Sequence, residues 1–331
     1  MNKNKIIRPI AYLAIPLALA FASLSIGRFS VPIDKVFSIL FQGDQSDRMM
    51  ANVIWSIRLP RITLAILVGA GLSVSGLAFQ SLFSNPLATP DTLGVASGSS
   101  LGAIVSLMAG LSLVSTQLVA MSFGLLAIAA TYFASRRKGE RSLVDIILTG
   151  IIIGSLCNSL ISLAKFLANP ETQLPAITYY LMGSLASANW STLRIGAVPI
   201  GAGCIVLYLI RWRLNILELD EDEAMATGTD VRMLRLVTIM CATVITASCV
   251  SMSGQVGWVG LLVPHIARMM LGNDNQKLVP ATLSIGAAFM LVVDTAARSI
   301  IGTEIPISIL TSIVGAPFFI SLIRRKGGRL S

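Results

Sequence analysis

The chain has 331 residues, of which 54% are hydrophobic and only 12% charged, with a formal net charge of +9. A soluble domain carries roughly 25% charged residues, so half of the usual polar surface is missing and an ordinary water-soluble fold is excluded. The excess of lysine and arginine reads as loop charge that orients a membrane protein, because no basic stripe is interleaved with aromatics as a nucleic-acid surface requires.

The apolar residues form long blocks without period-two alternation. That is the form of membrane-spanning helices of about 20 residues, not of barrel strands. The first span covers 9–27, preceded by Lys3, Lys5 and Arg8. Its apolar run exceeds the roughly 7–15 residues of a signal-peptide core, so it is read as a helix and not as a cleaved leader. An outer segment, 28–61, follows, with a surface helix expected over 31–41 and the sequence Ile57-Arg-Leu-Pro-Arg61 at its end. Spans at 61–82, 92–110, 114–134 and 142–165 come next, the basic cluster Arg136, Arg137, Lys138 and Arg141 lying before the last. The outer segment 166–190 holds a short re-entrant or interfacial helix, Leu174–Gly183, ahead of a span at 191–211. The inner segment 214–235 leads to spans at 233–252, 256–271, 278–298 and 305–324, then to Arg324, Arg325, Lys326 and Arg329. The eighth span is short and rich in glycine and proline.

Ten spans with both termini cytoplasmic place 17 basic residues inside and 8 outside, which accounts for all 25 and obeys the positive-inside rule. The expected fold is an all-α polytopic bundle of about ten transmembrane helices in a single domain, 1–331. Small residues recur at helix-contact spacing in Gly98-xxx-Gly102, Gly150-xxx-Gly154 and the run Gly69, Gly71, Ser73, Ser75, Gly76. They predict close backbone approach inside the bundle or between two copies of the chain. Cys157, Cys204, Cys241 and Cys249 all fall in apolar spans without metal-type spacing and are read as packing residues.

The inner segment 214–235 opens with Glu218, Asp220, Glu221, Asp222 and Glu223 and continues Ala224-Met-Ala-Thr-Gly-Thr-Asp-Val-Arg232. It predicts a helix, a break at Gly228, and a second helix capped by Asp230, since acidic residues favour a helix N-terminus. No Gly-xxxx-Gly-Lys-Ser/Thr loop is present, and the one histidine, His265, supports neither a His-Glu-xx-His metal site nor a serine triad. Enzymatic catalysis, resident metal and cofactor are therefore not expected in this chain. Asp294 and Arg298 stand four apart and read as a local pair. Arg58 and Arg61 flank Leu59-Pro60, where proline stiffens the backbone; anchoring at the lipid interface and docking of an acidic partner both fit them.

Six segments taken together resemble one family: Ile57-Arg-Leu-Pro-Arg61, Ser84-Asn-Pro-Leu-Ala-Thr-Pro-Asp-Thr-Leu-Gly94, Tyr180-Leu-Met-Gly-Ser184, Ala226-Thr-Gly-Thr-Asp230, Val256-Gly-Trp-Val-Gly-Leu-Leu-Val-Pro-His-Ile-Ala-Arg268 and Gly315-Ala-Pro-Phe-Phe319. In that order they resemble the type II ABC importer permeases for iron–siderophores, haem and cobalamin, the FecCD-like family. The resemblance implies a permease in the bacterial inner membrane that moves a chelated metal compound by alternating access at a homodimer interface. An iron–siderophore is the first expectation, with haem, a corrinoid or molybdate behind it, and an ion-coupled secondary transporter as the rival class. The implied partners are a second copy, two cytoplasmic ATPase subunits that hold ATP and magnesium, and an extracytoplasmic substrate-binding protein. The resemblance also implies that Arg58, Arg61 and Arg298 receive carboxylates of the binding protein. Ala224, Met225, Thr227, Gly228, Asp230, Val231 and Arg232 would couple to the ATPase, and Asn85, Pro86, Leu87, Ser142 and Leu143 would form the cytoplasmic gate.

Overall fold

Lipid offers the backbone no hydrogen-bond partner, so each apolar block closes its own N–H and C=O groups as a helix. The computed structural model describes residues 4–43, 47–135 and 143–327, and among these every regular element is helical. In chain order they are α1 (Asn4–Ser25), α2 (Ile33–Phe41), α3 (Arg48–Asn52), α4 (Leu59–Leu82), α5 (Val95–Met108), α6 (Leu113–Ala134) and α7 (Leu143–Leu167). They continue as α8 (Gln173–Leu181), α9 (Trp190–Leu209), α10 (Glu221–Ala226), α11 (Val231–Ser253), α12 (Val259–Leu271), α13 (Asn275–Ser299) and α14 (Ile307–Gly327).

Among the described residues, 6 helices are long and apolar enough to cross a membrane: Arg48–Leu82, α6, α7, α9, α11 and α13. Shorter apolar helices, Tyr12–Ser25, Val95–Met108, Val259–Leu271 and Ile307–Ser321, occupy the other expected positions. The protein is therefore a polytopic helical bundle. The chain passes back and forth, so that the start of α4 lies at one end, called here the arginine end, and α10 at the other, the loop end.

The second span begins earlier than its hydropathy indicates. From α3 the chain runs through a π-helical turn, Val53–Arg58, straight into α4, giving 35 continuous helical residues. Pro60 explains the turn. Its ring cannot donate to the carbonyl one turn back, and widening the ladder ahead of it, with Leu59 N–H bonded to Ile54 O, lets the helix continue. The third and eighth spans start later than expected, at Val95 and Val259. Each follows an irregular stretch that enters the bundle, Ser84–Gly94 and Gly254–Trp258.

α4 is the axis of the bundle: 78% of its membrane window is buried, against 28% for α7 and α9 at the rim. It packs on α13, α11, α12 and α9. Contact is close enough to be made by backbone. A Cβ on Gly76 would lie 1.9 Å from the carbonyl oxygen of Gly260 on α12, and one on Gly69 would lie 2.2 Å from that of Gly286 on α13. The small-residue motifs are thus used within the chain, as are Gly98 and Gly102 against α6. Several buried hydroxyls bond within their own helix, as where Thr246 donates to Ala242 O at 2.8 Å. Ser75 and Thr246 also join α4 to α11 at 2.6 Å.

Candidate functional site

At the arginine end the structure brings Arg58, Arg61 and Arg298 together and turns all three inward. Their relative exposures are only 5%, 8% and 8%. The π-helical turn places Arg58 and Arg61, three residues apart, on the buried side of the helix. Arg58 donates to the carbonyls of Leu24 and Phe29. Arg61 Nε donates to Asp294 Oδ1 at 2.8 Å and its Nη1 to Glu304 Oε1 at 2.6 Å. Arg298 Nη1 donates to Ile26 O at 2.7 Å and Nη2 to Ser23 O at 2.5 Å. The local Asp294–Arg298 pair expected from spacing exists at 3.6 Å, but Arg61 is the closer partner of that carboxylate. Three guanidiniums face two carboxylates, leaving one positive charge beneath the turn that follows α1. The arrangement ties α1, α4 and α13 together at their common end.

At the loop end, α10 carries Glu221, Asp222 and Glu223 in its first turn, and Gly228 breaks the chain with φ +70°. Asp230 caps α11 by accepting from Met233 N–H at 3.0 Å. Ala224 and Val231 are buried, whereas Met225, Thr227, Gly228, Asp230 and Arg232 face outward, the pattern of a ridge anchored on the bundle with its crest free. Beneath it lies a polar network that no spacing in the sequence announces. Fully buried Asn275, at the start of α13, donates to Glu218 Oε1 at 2.9 Å and accepts from Ser81 Oγ of α4 at 3.2 Å. Its backbone N–H donates to Asn215 Oδ1 at 2.8 Å. Arg268 of α12 donates to Gln80 of α4. Asp274 accepts from Lys277 and Asn215, and these bonds hold its carboxyl below the usual carboxylate range.

Of the expected gate residues, Asn85, Pro86 and Leu87 lie exposed at the loop end, the Asn85 side chain accepting from Leu87 N–H at 2.9 Å. Ser84, beside them at φ +47°, donates to Leu217 O at 3.3 Å. Leu143 opens α7, and Ser142 lies outside the described residues. The chain then turns into the bundle through a 3-10 turn, Pro90–Leu93, and Gly94 (φ +74°) packs against Gly150 and Gly154 of α7.

That turn borders two cavities. One, of 510 Å³, is a trough between the turn and the outer face of α7, where Ser155, Asn158, Ser159 and Ser162 line it. The other, of 410 Å³, lies among α4, α11 and α12, with Trp258 and Gln255 in its wall. The sequence missed the polar row on α7. Its spacing of three and four residues was available, but serine and asparagine do little to lower the hydropathy of a span.

His265 packs its ring on Phe318 and Phe319 of α14, at 6.4 and 5.7 Å between centroids, a structural contact. All four cysteines are free thiols. Among the described residues no three His, Cys, Asp or Glu side chains gather as a metal site.

Comparison with known proteins gives a match to the model of the FecCD transport family over residues 15–325. The molybdate import system permease protein MolB of Haemophilus influenzae is 40% identical over 93% of each chain. The hemin transport system permease protein HmuU of Yersinia pestis is 37% identical over 93% of this chain and 92% of its own. A solved structure described as an inward-facing conformation of a metal-chelate type ABC transporter superposes with a TM-score of 0.88 at 39% identity, covering 96% of this chain and 98% of the other.

Proposed function

This chain belongs to the FecCD transport family, and from that membership we propose that it is the permease through which an ATP-driven importer moves a chelated metal compound, an iron–siderophore first among them. That it is a permease subunit of an ABC importer is shared with its relatives; the cargo and the assignments below are this proposal. The observation that carries it is the polar trough on α7, which gives an otherwise apolar rim one polar face. Two copies facing each other across that trough enclose a passage, and neither needs to bind cargo tightly, because tight binding slows release.

The loop-end ridge, with Met225, Thr227, Gly228, Asp230 and Arg232 exposed, fits a groove in a cytoplasmic ATPase. The network from Asn215 and Glu218 through Asn275 to Ser81 links that ridge to α4, so ATP-driven motion of the ridge reaches the axis of the bundle. Asn85, Pro86, Leu87, Ser142 and Leu143 would close the passage at that end. At the other end a substrate-binding protein docks, steered by the residual positive charge. Since Arg58 and Arg298 are occupied by carbonyls of residues 23–29, the partner's carboxylates reach them by displacing that turn, and reach Arg61 by exchanging with Asp294 or Glu304. Hydrolysis itself belongs to the separate ATPase subunits.

A second cargo, molybdate, is favoured by the identity to a molybdate permease. Reconstitution decides the main reading. The chain, co-purified with its ATPase and placed in vesicles with its binding protein, should take up radiolabelled ferric chelate only with ATP and magnesium. Uptake that proceeds without ATP, or a chain that never retains an ATPase, refutes it.

A further inference from the structure

α7 exposes Ser155, Asn158, Ser159 and Ser162 among Ile151, Ile152, Leu156, Leu160 and Leu163. The row from Ser155 to Ser162 covers about 10 Å of helix at about 1.5 Å per residue, running from the midpoint of α7 toward its C-terminal end. Across the trough stand Thr89, Asp91, Thr92 and Ser97. An ionised side chain with a row of amide and hydroxyl groups is costly against hydrocarbon and ordinarily faces water or protein. This face is therefore turned away from lipid.

Asp91 stands in the wall common to both cavities and is, among the described residues, the only ionisable one lining either. It is exposed, and its position is built, not incidental. Pro90 starts the 3-10 turn, Gly94 ends it in a left-handed conformation against α7, and Ser97 Oγ donates to Asp91 Oδ1 at 3.1 Å. The turn thus presents one fixed negative charge to both cavities, with no lysine, arginine or histidine among the described residues that line them. Low-dielectric walls focus such a field.

Resting on the permease reading, we propose that Asp91 makes this passage selective by charge. It favours cargo that is neutral or cationic and offers hydrogen-bond donors, such as a metal whose chelating ligands cancel its charge. It opposes a free oxyanion. The alternating-access cycle moves such a chelate past Asp91, while a dianion meets repulsion in every cycle.

The test reads the local potential without needing the cargo. In the assembled importer, Ser159→Cys is reacted with the cationic trimethylammonioethyl and the anionic sulfonatoethyl methanethiosulfonates, with the unsubstituted chain as background for native thiols. For unit charges on the order of 8 Å apart, even the dielectric of bulk water gives about a fivefold preference for the cation. The ratio of cationic to anionic rates should therefore fall about fivefold in Ser159→Cys/Asp91→Asn and be retained with Asp91→Glu. A thiol that reacts with neither reagent means that the trough is dry, and a ratio indifferent to Asp91→Asn means that the charge does not act there; either result overturns the proposal. Molybdate uptake by the intact importer that Asp91→Asn fails to raise overturns it as well. Failure of the importer reading is separate: it shows as lost ATP dependence with the reagent ratio intact.

Discussion

Replacing Asp294 with asparagine should be among the most destabilising single substitutions at the arginine end. The carboxylate is 1% exposed and lies 2.8 Å from Arg61 Nε and 3.6 Å from Arg298 Nε. With Asp294 present, three arginines face two carboxylates; Asp294→Asn leaves three facing Glu304 alone, doubling the net buried charge from +1 to +2. Removing one partner of a buried pair costs about 3–5 kcal/mol, because the other charge is left without compensation. Arg61→Met should cost less, since Arg298 remains to serve Asp294 and the cluster becomes neutral. The double variant should cost less than the two singles added together, with a coupling of about 0.5–3 kcal/mol. The assay is thermal unfolding of the purified chain in one detergent or in nanodiscs, at fixed lipid and salt. At about 2 °C per kcal/mol for a chain of this size, Asp294→Asn should lower Tm by roughly 6–10 °C. A shift within about 1 °C, or strict additivity of the two single variants, would show that this pair does not hold α4 to α13.

Gly76→Ala should destabilise by about 1–3 kcal/mol by forcing α4 away from α12, whereas Gly201→Ala, which meets nothing within 4 Å, should be neutral or stabilising; unfolding curves of the pair separate close approach from helix propensity. Gly228, at φ +70°, should accept asparagine better than valine, and a reduced ATPase response with an unchanged Tm would mark the loop as a coupling element. Asn275→Ala should strand Ser81 and Glu218, cost about 1–3 kcal/mol and expose the 213–226 segment to trypsin; an unaltered digestion pattern removes the network from the coupling route. Asp274, whose carboxyl is held below its ordinary value by Lys277 first, contributes stability that is complete above the unfolded pKa of about 4 and fades as pH falls through the lower folded value. An Asp274→Asn variant should therefore lose that part of the acid dependence, read as Tm against pH.

The span pattern, the short helix near 174–183, and the helix–Gly–helix reading of 214–235 were legible because each depends on neighbouring residues. Acidic residues at the head of α10, a left-handed glycine and a capping aspartate act within a few positions of one another. The family resemblance was legible for the same reason, being carried by six short ordered segments. Helix ends were less so. The start at Arg48 rests on a π-helical turn that absorbs Pro60, and the late starts of α5 and α12 rest on the Ser84–Gly94 and Gly254–Trp258 stretches, which turn into the bundle before either helix begins.

The arginine end shows where the division falls. Sequence alone determined that this chain crosses the membrane many times, since lipid makes each segment answer for its own backbone and for the apolarity of its own side chains. Which way Arg58, Arg61 and Arg298 turn was decided only by tertiary structure: Arg61 meets Asp294 across 233 positions of chain and Glu304 across 243. The polar row on α7 has the same origin. Serines and an asparagine are inexpensive within one helix, and they become a passage wall only when Thr89–Thr92, some seventy residues earlier in the chain, is folded in against them. These charges and hydroxyls are placed by what stands opposite them, and here the opposite side is far away in sequence.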